Sequence, residues 1–86
     1  MPTISMFFGI FIRMFFDDHT PPHFHAAYGE YNAKISIDTL EILDGNLPNR
    51  VLGLVLEWAV LHRTELRADW DLCVKKQQPQ KILPLE

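Results

Sequence analysis

The chain has 86 residues, an apolar fraction of 48% and a formal net charge of −3. This length fits one small domain with a modest core, because a chain of about 60 residues buries only roughly 60% of its unfolded surface. The apolar fraction excludes a disordered chain. The acidic balance argues against loose, charge-driven coating of nucleic acid, although it leaves room for a small local basic site. The single cysteine, Cys73, excludes an internal disulfide and favours a reducing compartment.

The N-terminal apolar stretch, residues 4–16, is interrupted by Gly9 and Arg13. It lacks the basic start and the small-residue cleavage site of a signal peptide, and it is too short for a membrane-spanning helix. Its aromatic and β-branched residues instead predict two strands, 3–8 and 10–16, that turn at Gly9. We therefore expect a cytoplasmic protein without a membrane partner.

The second predicted hairpin is the best-defined element. Its loop, Gly29-Glu30, begins with glycine, which suits a type II′ turn and pairs Tyr28 with Tyr31. Strict alternation then assigns the side chains to two faces. The apolar face carries Phe24, Ala26, Tyr28, Tyr31, Ala33, Ile35 and Ile37, and the opposite face carries His23, His25, Asn32, Lys34 and Ser36.

A helical pattern fills most of the second half. Pro48 is suited to a first helical turn, and the apolar residues that follow recur mostly in steps of three and four. They are Val51, Leu54, Val55, Trp58, Ala59, Leu61, Leu66, Trp70 and Cys73. The helix either runs continuously to about Val74 or is bent or split near Arg63.

These elements predict an α+β fold. An antiparallel β-meander of four to five strands, the last near residues 41–43, is packed on its apolar face by the long C-terminal helix. Residues 1–76 form the single domain, and residues 77–86 form an irregular tail whose apolar end is suited to docking. The face that carries His23 and Lys34 is then solvated or covered by another molecule.

His19, His23 and His25 concentrate the chemistry of the chain, since they are three of its four histidines and Pro21-Pro22 separates the first from the other two. His23 and His25 share a strand face, because side chains alternate along a strand. One interpretation is that all three are solvated structural residues. A second is a metal site for zinc or another divalent ion, built from these histidines with Asp17 or Asp18 as further candidates.

Lys34 favours a third interpretation, because an ammonium beside His25 disfavours a bound cation and favours an anion. Cleavage of a phosphodiester needs a base, an acid and a positive charge for the developing oxyanion. His23 and His25 would supply the acid–base pair, with His19 assisting and Lys34 stabilising the phosphate charge. Arg13 and Ser36 are candidate binding residues on the same sheet. No metal or other cofactor is required in this interpretation.

Two further features bear on partners. His62 lies on the apolar stripe of the predicted helix, so we expect it at the edge of the core and outside the primary site. The aromatic residues Phe7, Phe8, Phe11, Phe15 and Phe16 cannot all face one side of a strand pair. Either a bent C-terminal segment covers the second side, or a protein partner or a second copy of the chain does.

The chain resembles a small bacterial family that is known only as a domain of unknown function. The resemblance covers about residues 1–74. It rests on Met1-Pro2-Thr3-Ile4, Asp18-His19-Thr20-Pro21-Pro22-His23-Phe24-His25, Tyr28-Gly29-Glu30-Tyr31 with Ala33-Lys34-Ile35, Gly45-Asn46-Leu47-Pro48, and the helical Trp58-Ala59, Leu61-His62, Glu65-Leu66 and Trp70. Leu40 stands where that family usually has a glycine.

The resemblance implies a bacterial cytosolic protein that is encoded beside a second short protein, as in toxin–antitoxin pairs. The sequence therefore predicts a toxin-like component that has a small cognate protein partner and acts on RNA through histidine acid–base chemistry. The alternatives are a non-catalytic protein-binding or regulatory module, and a histidine-ligated metal-binding protein.

Overall fold

A computed structural model describes residues 2–86 of the chain. Five antiparallel strands form one sheet in chain order, and two helices follow them, so the fold is α+β. The elements are β1 (Thr3–Phe7), β2 (Ile10–Arg13), β3 (His23–Tyr28), β4 (Tyr31–Ser36), β5 (Ile42–Gly45), α1 (Asn49–Leu61) and α2 (Arg63–Val74).

The hairpin of β3 and β4 has the register that its turn predicts. Tyr28 pairs with Tyr31, His25 with Lys34 and His23 with Ser36. Gly29 has a φ of 56°, which a type II′ turn requires at its first central position. The glycine therefore sets which residues share a face along both strands.

Among the described residues, three other than glycine lie in the left-handed region, and two of them are in turns of the sheet. Phe8, before Gly9, has a φ of 51°, and Leu40 has a φ of 62°. Residues other than glycine rarely adopt this backbone conformation, because their Cβ atom then approaches the following carbonyl oxygen. Leu40 therefore adopts the backbone conformation that a glycine would adopt without strain, and the turn before β5 forms with leucine there.

The helical half contains two helices, and the continuous helix that the sequence allowed is not formed. α1 ends at Leu61 and α2 begins at Arg63, so the break falls at His62, next to the bend considered at Arg63. His62 has a φ of −125°, outside the helical range. The Nδ1–H of His62 donates to Glu65 Oε1 at 2.6 Å, which ties the break to the first turn of α2.

The core lies between the sheet and the helices. Trp58 of α1 is fully buried, with its ring 5.4 Å from that of Phe7 and 6.0 Å from that of Phe24. Trp70 of α2 instead packs against His23 at the start of β3, at 5.2 Å. α1 therefore covers the apolar face of the sheet, whereas α2 reaches round to the first residue of the opposite face.

The C-terminal tail docks on the chain's own core. The Ile82 N–H donates to the Ile4 carbonyl oxygen at 2.8 Å, and Trp58 Nε1–H donates to the Leu83 carbonyl oxygen at 2.8 Å. Ile82 is buried, and Lys81 Nζ donates to the Thr3 carbonyl oxygen. The tail thus runs along the outer edge of β1, while β5, at the other edge, is exposed along its whole length.

No helix within residues 2–86 is long and apolar enough to cross a membrane.

Candidate functional site

The site is built where the loop between β2 and β3 folds over the start of β3. The loop is held by Met14 N–H, which donates to the Pro2 carbonyl oxygen, and by Ile37 N–H, which donates to the Pro22 carbonyl oxygen. At its exposed side Lys76, just after α2, forms an ion pair with Asp17 at 3.1 Å. This path directs the neighbouring Asp18 toward the histidines of β3.

One carboxylate oxygen joins two imidazoles. The His25 Nε2–H donates to Asp18 Oδ2 at 2.9 Å, and His23 Nε2 lies 3.2 Å from the same oxygen. One ligand atom from each of the three residues lies within 4.8 Å of the others. Asp18, His23 and His25, which we call the Asp–His cluster, therefore converge on one point.

His23 is almost completely enclosed, since only 2% of it is exposed. Its Nδ1 lies 2.8 Å from the Pro21 carbonyl oxygen, which can only accept, so Nδ1 carries the hydrogen. The ring packs between Trp70 at 5.2 Å and His25 at 5.1 Å. Its Nε2 is buried and makes no hydrogen bond. Although that nitrogen is close to Asp18, the approach is not aligned for one.

His25 and Asp18 are the accessible members of the cluster, each with about a quarter of its side chain exposed. The ring of Phe15 meets it edge-on at 4.5 Å. Burial lowers the pKa of His25, the hydrogen bond and the charge of Asp18 oppose that change, and the charges of His23 and Lys34 add to it. The result favours a neutral imidazole whose Nε2 hydrogen is held by the carboxylate.

Charged residues flank His25 along one row of the sheet. Arg13 of β2 and Lys34 of β4 are its direct partners on the two neighbouring strands, and Asp44 of β5 is the partner of Lys34. Arg13 Nε–H donates to Thr3 Oγ1 at 3.5 Å, and its guanidinium carbon lies 5.1 Å from the ring centre of Phe11. The row therefore places one cationic residue on each side of the His25 imidazole.

A shallow cleft of about 330 Å³ opens beside this row, lined by His25, Asn32, Ala33, Lys34, Asp44 and Gly45. A second groove, of about 340 Å³, lies between Phe8, Tyr28 and the start of α1, and none of the residues that line it is a histidine or a carboxylate. Only the first of these two openings gives a ligand access to the Asp–His cluster.

The remaining predicted site residues lie elsewhere. His19 is exposed on the loop and is not part of the cluster of described residues that converges on Asp18. Ser36 is buried, and its Oγ accepts the Thr39 N–H at 3.1 Å, so it shapes a turn. The face that carries His23 was expected to be solvated or covered by another molecule, but Trp70 and Asp18 of the chain itself cover that end of it.

Asp18 is the central residue that sequence reasoning considered only as a further candidate. Its place depends on how a nine-residue loop, 14–22, returns to β3, and no periodic pattern reports such a path. The available signal was local, namely a carboxylate directly before the first histidine of the run.

A second pair of buried ionisable residues, Asp69 and Cys73, lies in α2. Burial raises the pKa of Asp69, whose Oδ1 accepts the Gln80 N–H at 2.8 Å and whose Oδ2 is buried without a partner. Burial also raises the pKa of the Cys73 thiol to about 11, with the charges of Asp69 and Asp18 adding to the effect. Cys73 is therefore a protonated thiol near neutral pH, which makes it a poor nucleophile.

Comparison with known proteins identifies a family for this chain and assigns no activity to it. No curated protein and no solved structure matches the chain. A family model described as domain of unknown function DUF4160 matches residues 9–71, which is well over half of the chain. This match includes the loop of Asp18, the paired histidines of β3 and most of both helices, and the chain belongs to the DUF4160 family.

Proposed function

We propose that this protein is the toxin-like component of a bacterial two-protein system, and that it cleaves RNA in the cytoplasm at the cleft beside His25. The observation that carries the proposal is the position of His25, which is hydrogen-bonded to Asp18 at 2.9 Å and flanked by Arg13 and Lys34 on the neighbouring strands. This arrangement joins a base, a group that orients it and two positive charges.

His25 is the residue that we assign to proton transfer. Its Nε2 hydrogen is bound to Asp18, which leaves Nδ1 as the basic nitrogen. A carboxylate in this position holds the tautomer and stabilises the imidazolium that forms when the base takes a proton. In the proposed step, the 2′-hydroxyl of RNA loses its proton to His25, its oxygen bonds to phosphorus, and the 5′-oxygen leaves and takes a proton from water.

Lys34 and Arg13 hold the phosphate in this step. The bond to phosphorus forms while negative charge builds on the phosphoryl oxygens, and cations already in place stabilise that charge without rearranging. Lys34 lines the same cleft as His25. The formal net charge of −3 argues that contact with RNA is confined to this local row rather than spread over the surface.

His23 has a different role in this proposal from the one its spacing suggests. With 2% of its surface exposed, it does not reach a substrate in the cleft. It lies 3.2 Å from Asp18 Oδ2 and therefore serves as a positioning residue for the carboxylate. His19 and Ser36 have no part in the step, because neither belongs to the Asp–His cluster.

The second protein of the pair would control this activity by binding the chain. Exposed aromatic side chains give it a surface, since Phe8, Tyr28 and Tyr31 are 61%, 37% and 41% exposed and lie at neighbouring turns at one end of the sheet. Aromatic residues supply much of the binding energy at protein interfaces.

The test is expression of the chain alone, followed by RNA cleavage with purified protein. The parent is expected to arrest growth and to cleave RNA. His25→Ala is expected to lose about 10²–10⁴-fold in cleavage rate, the usual contribution of a positioned base. Lys34→Ala is expected to weaken cleavage as well.

Matched controls come from outside the cleft. His62→Gln removes a histidine that is bonded to Glu65, and Lys75→Ala removes an exposed lysine at the end of α2. Both are expected to cleave like the parent. The proposal is wrong if folded His25→Ala, checked by circular dichroism, is as active and as toxic as the parent.

A further inference from the structure

We propose that the Asp–His cluster binds one divalent transition-metal ion of the zinc class, through Asp18 Oδ2, His23 Nε2 and His25 Nε2. The inference goes beyond the proposed RNA cleavage, because it rests on the geometry of the three side chains and on no property of a substrate.

The state of His23 favours a bound cation most strongly. Because Nδ1–H donates to the Pro21 carbonyl oxygen, a neutral ring presents a bare lone pair at Nε2. That nitrogen is buried, makes no hydrogen bond and lies 3.2 Å from a carboxylate oxygen, which is a second acceptor. Two acceptors therefore face each other, one of them buried and without a hydrogen bond, and a cation between them would satisfy His23 Nε2.

His23 makes the hydrogen bond that metal-binding histidines usually make through the ring nitrogen that does not bind the metal. Such residues almost always donate their other ring N–H to a carbonyl or a carboxylate, which fixes the tautomer and the ring orientation. Pro21 provides this carbonyl oxygen at 2.8 Å, and Trp70 holds the ring from the side. His23 is therefore oriented as a ligand would be, with its free nitrogen directed into the cluster.

The distances within the cluster suit one shared ion. Zinc bonds to imidazole nitrogen and carboxylate oxygen are about 2.0–2.2 Å long, so two ligands on one ion lie about 2.9–3.5 Å apart. The measured separations from Asp18 Oδ2 are 2.9 Å to His25 Nε2 and 3.2 Å to His23 Nε2. All three ligand atoms lie within 4.8 Å of one another, and a rotation of the His25 ring that brings its Nε2 toward His23 Nε2 would complete the set.

Lys34 is the nearest objection, since its charge disfavours a cation. Asp18 would bond to the ion directly, whereas Lys34 lies on the neighbouring strand and is itself opposite the carboxylate residue Asp44 of β5 in the strand register. Two histidines and one carboxylate leave further coordination positions open, as in catalytic rather than structural metal sites. His25 borders the cleft, so those positions can be reached from solvent.

Binding would change the role of His25. Its Nε2 hydrogen must leave before the nitrogen can bond to the ion, and Nδ1 takes a proton from water in exchange. An ion held by Asp18, His23 and His25 would lower the pKa of a water molecule bound to it, and the hydroxide left when that water loses a proton to solvent would be the base in place of His25. The metal content of the protein therefore decides which of the two groups acts in the cleft.

The test is equilibrium binding to full-length protein that carries no histidine tag and has been treated with a chelator and dialysed. Co²⁺ is titrated with detection by visible absorption, and Zn²⁺ with detection by calorimetry. We expect one equivalent to bind. His25→Ala and Asp18→Ala are expected to weaken binding by about 100-fold or more, because removal of even an outer partner typically costs 10–100-fold.

Two histidine variants test the identity of the ligands. His19→Ala and His62→Gln are expected to bind like the parent, because neither residue is in the cluster. If His19→Ala weakens binding as much as His25→Ala does, the proposed ligand set is wrong.

A second measurement guards against misfolded variants. Zn²⁺ should raise the melting temperature of the parent, since a ligand that binds only the folded state stabilises it, and should leave His25→Ala unchanged. No uptake by the parent, or equal uptake by His25→Ala, would overturn the proposal. The experiment contains no RNA, so a failure to bind metal leaves the cleavage proposal standing. Metal binding by a protein that does not cleave RNA would support the metal site and overturn the cleavage proposal.

Discussion

The two faces of β3 are enclosed in different ways. Phe24 and Ala26 on one face are fully buried under α1, with Trp58 at 6.0 Å from Phe24. His23 and His25 on the other face meet a loop carboxylate and the edge of α2. One face is closed by apolar packing alone, whereas the other combines aromatic packing with polar contacts to Asp18, so stability is concentrated on the first and chemistry on the second.

The largest loss of stability is expected from a substitution on the apolar face. Phe24→Ala removes a fully buried ring between two histidines of the strand and should lower the free energy of unfolding by about 3–5 kcal/mol. Urea unfolding followed by fluorescence of the tryptophans measures the loss. Phe8→Ala, at a ring that is 61% exposed, is the control and should cost well under about 1 kcal/mol. Equal losses would mean that Phe24 is not a core anchor.

The second-largest loss of stability is expected in the tail, which packs against the apolar core. Ile82 is buried and its N–H donates to the carbonyl oxygen of Ile4, so Ile82→Ala should cost about 2 kcal/mol through lost packing. Leu83→Ala is the matched control, because that side chain is 74% exposed and its carbonyl oxygen still accepts from Trp58. A parent-like Ile82→Ala would show that the tail does not contribute to the fold in solution.

A pH test examines buried charge away from the cluster. Because burial raises the pKa of Asp69 above its value in the unfolded chain, ionisation of this carboxyl costs stability as the pH rises through that range. Asp69→Asn keeps an oxygen for the Gln80 N–H and carries no charge. We expect the variant to be more stable than the parent at pH 7.

That gain should disappear near pH 3, where the parent carboxyl is protonated in both states. Asp71→Asn, at an exposed position of the same helix, controls for the removal of one helix charge. Chemical unfolding at both pH values measures the difference, and a gain that is equal at pH 3 and pH 7 would contradict the argument.

The smallest effect is expected at the surface. Arg67 Nη1 donates to Asp38 Oδ1 at 2.9 Å, but both side chains are more than half exposed. Arg67→Ala should therefore change the free energy of unfolding by no more than about 1 kcal/mol, and less in high salt. A loss as large as that of Ile82→Ala would show that the ion pair secures α2 against the sheet.

The register of β3 and β4 could be predicted because one glycine and strict alternation determine it locally. The same alternation placed His23 and His25 on one face and Phe24 on the other, as the structure has them. The separation of the helices at His62 was only one of the alternatives, since the apolar steps continue through the break.

The enclosure of the polar face could not be predicted from the same patterns. The burial of His23 depends on Trp70, which lies 47 residues further along the chain (70 − 23), and on a loop that brings Asp18 back to the strand. Both are tertiary contacts without a sequence period. The spacing of the histidines therefore identified the place of the site, but not the carboxylate at its centre.

The tail that lies along β1 also limits how copies of this protein can join. A sheet with two free edges can add strands without end, whereas within residues 2–86 the tail contacts the outer side of β1 through Ile82 and Lys81 and leaves β5 as the exposed edge. Two copies that pair through β5 would leave no edge for a third. Association through sheet edges would therefore stop at a symmetric pair, because the tail contacts at Thr3 and Ile4 oppose the addition of a strand beside β1.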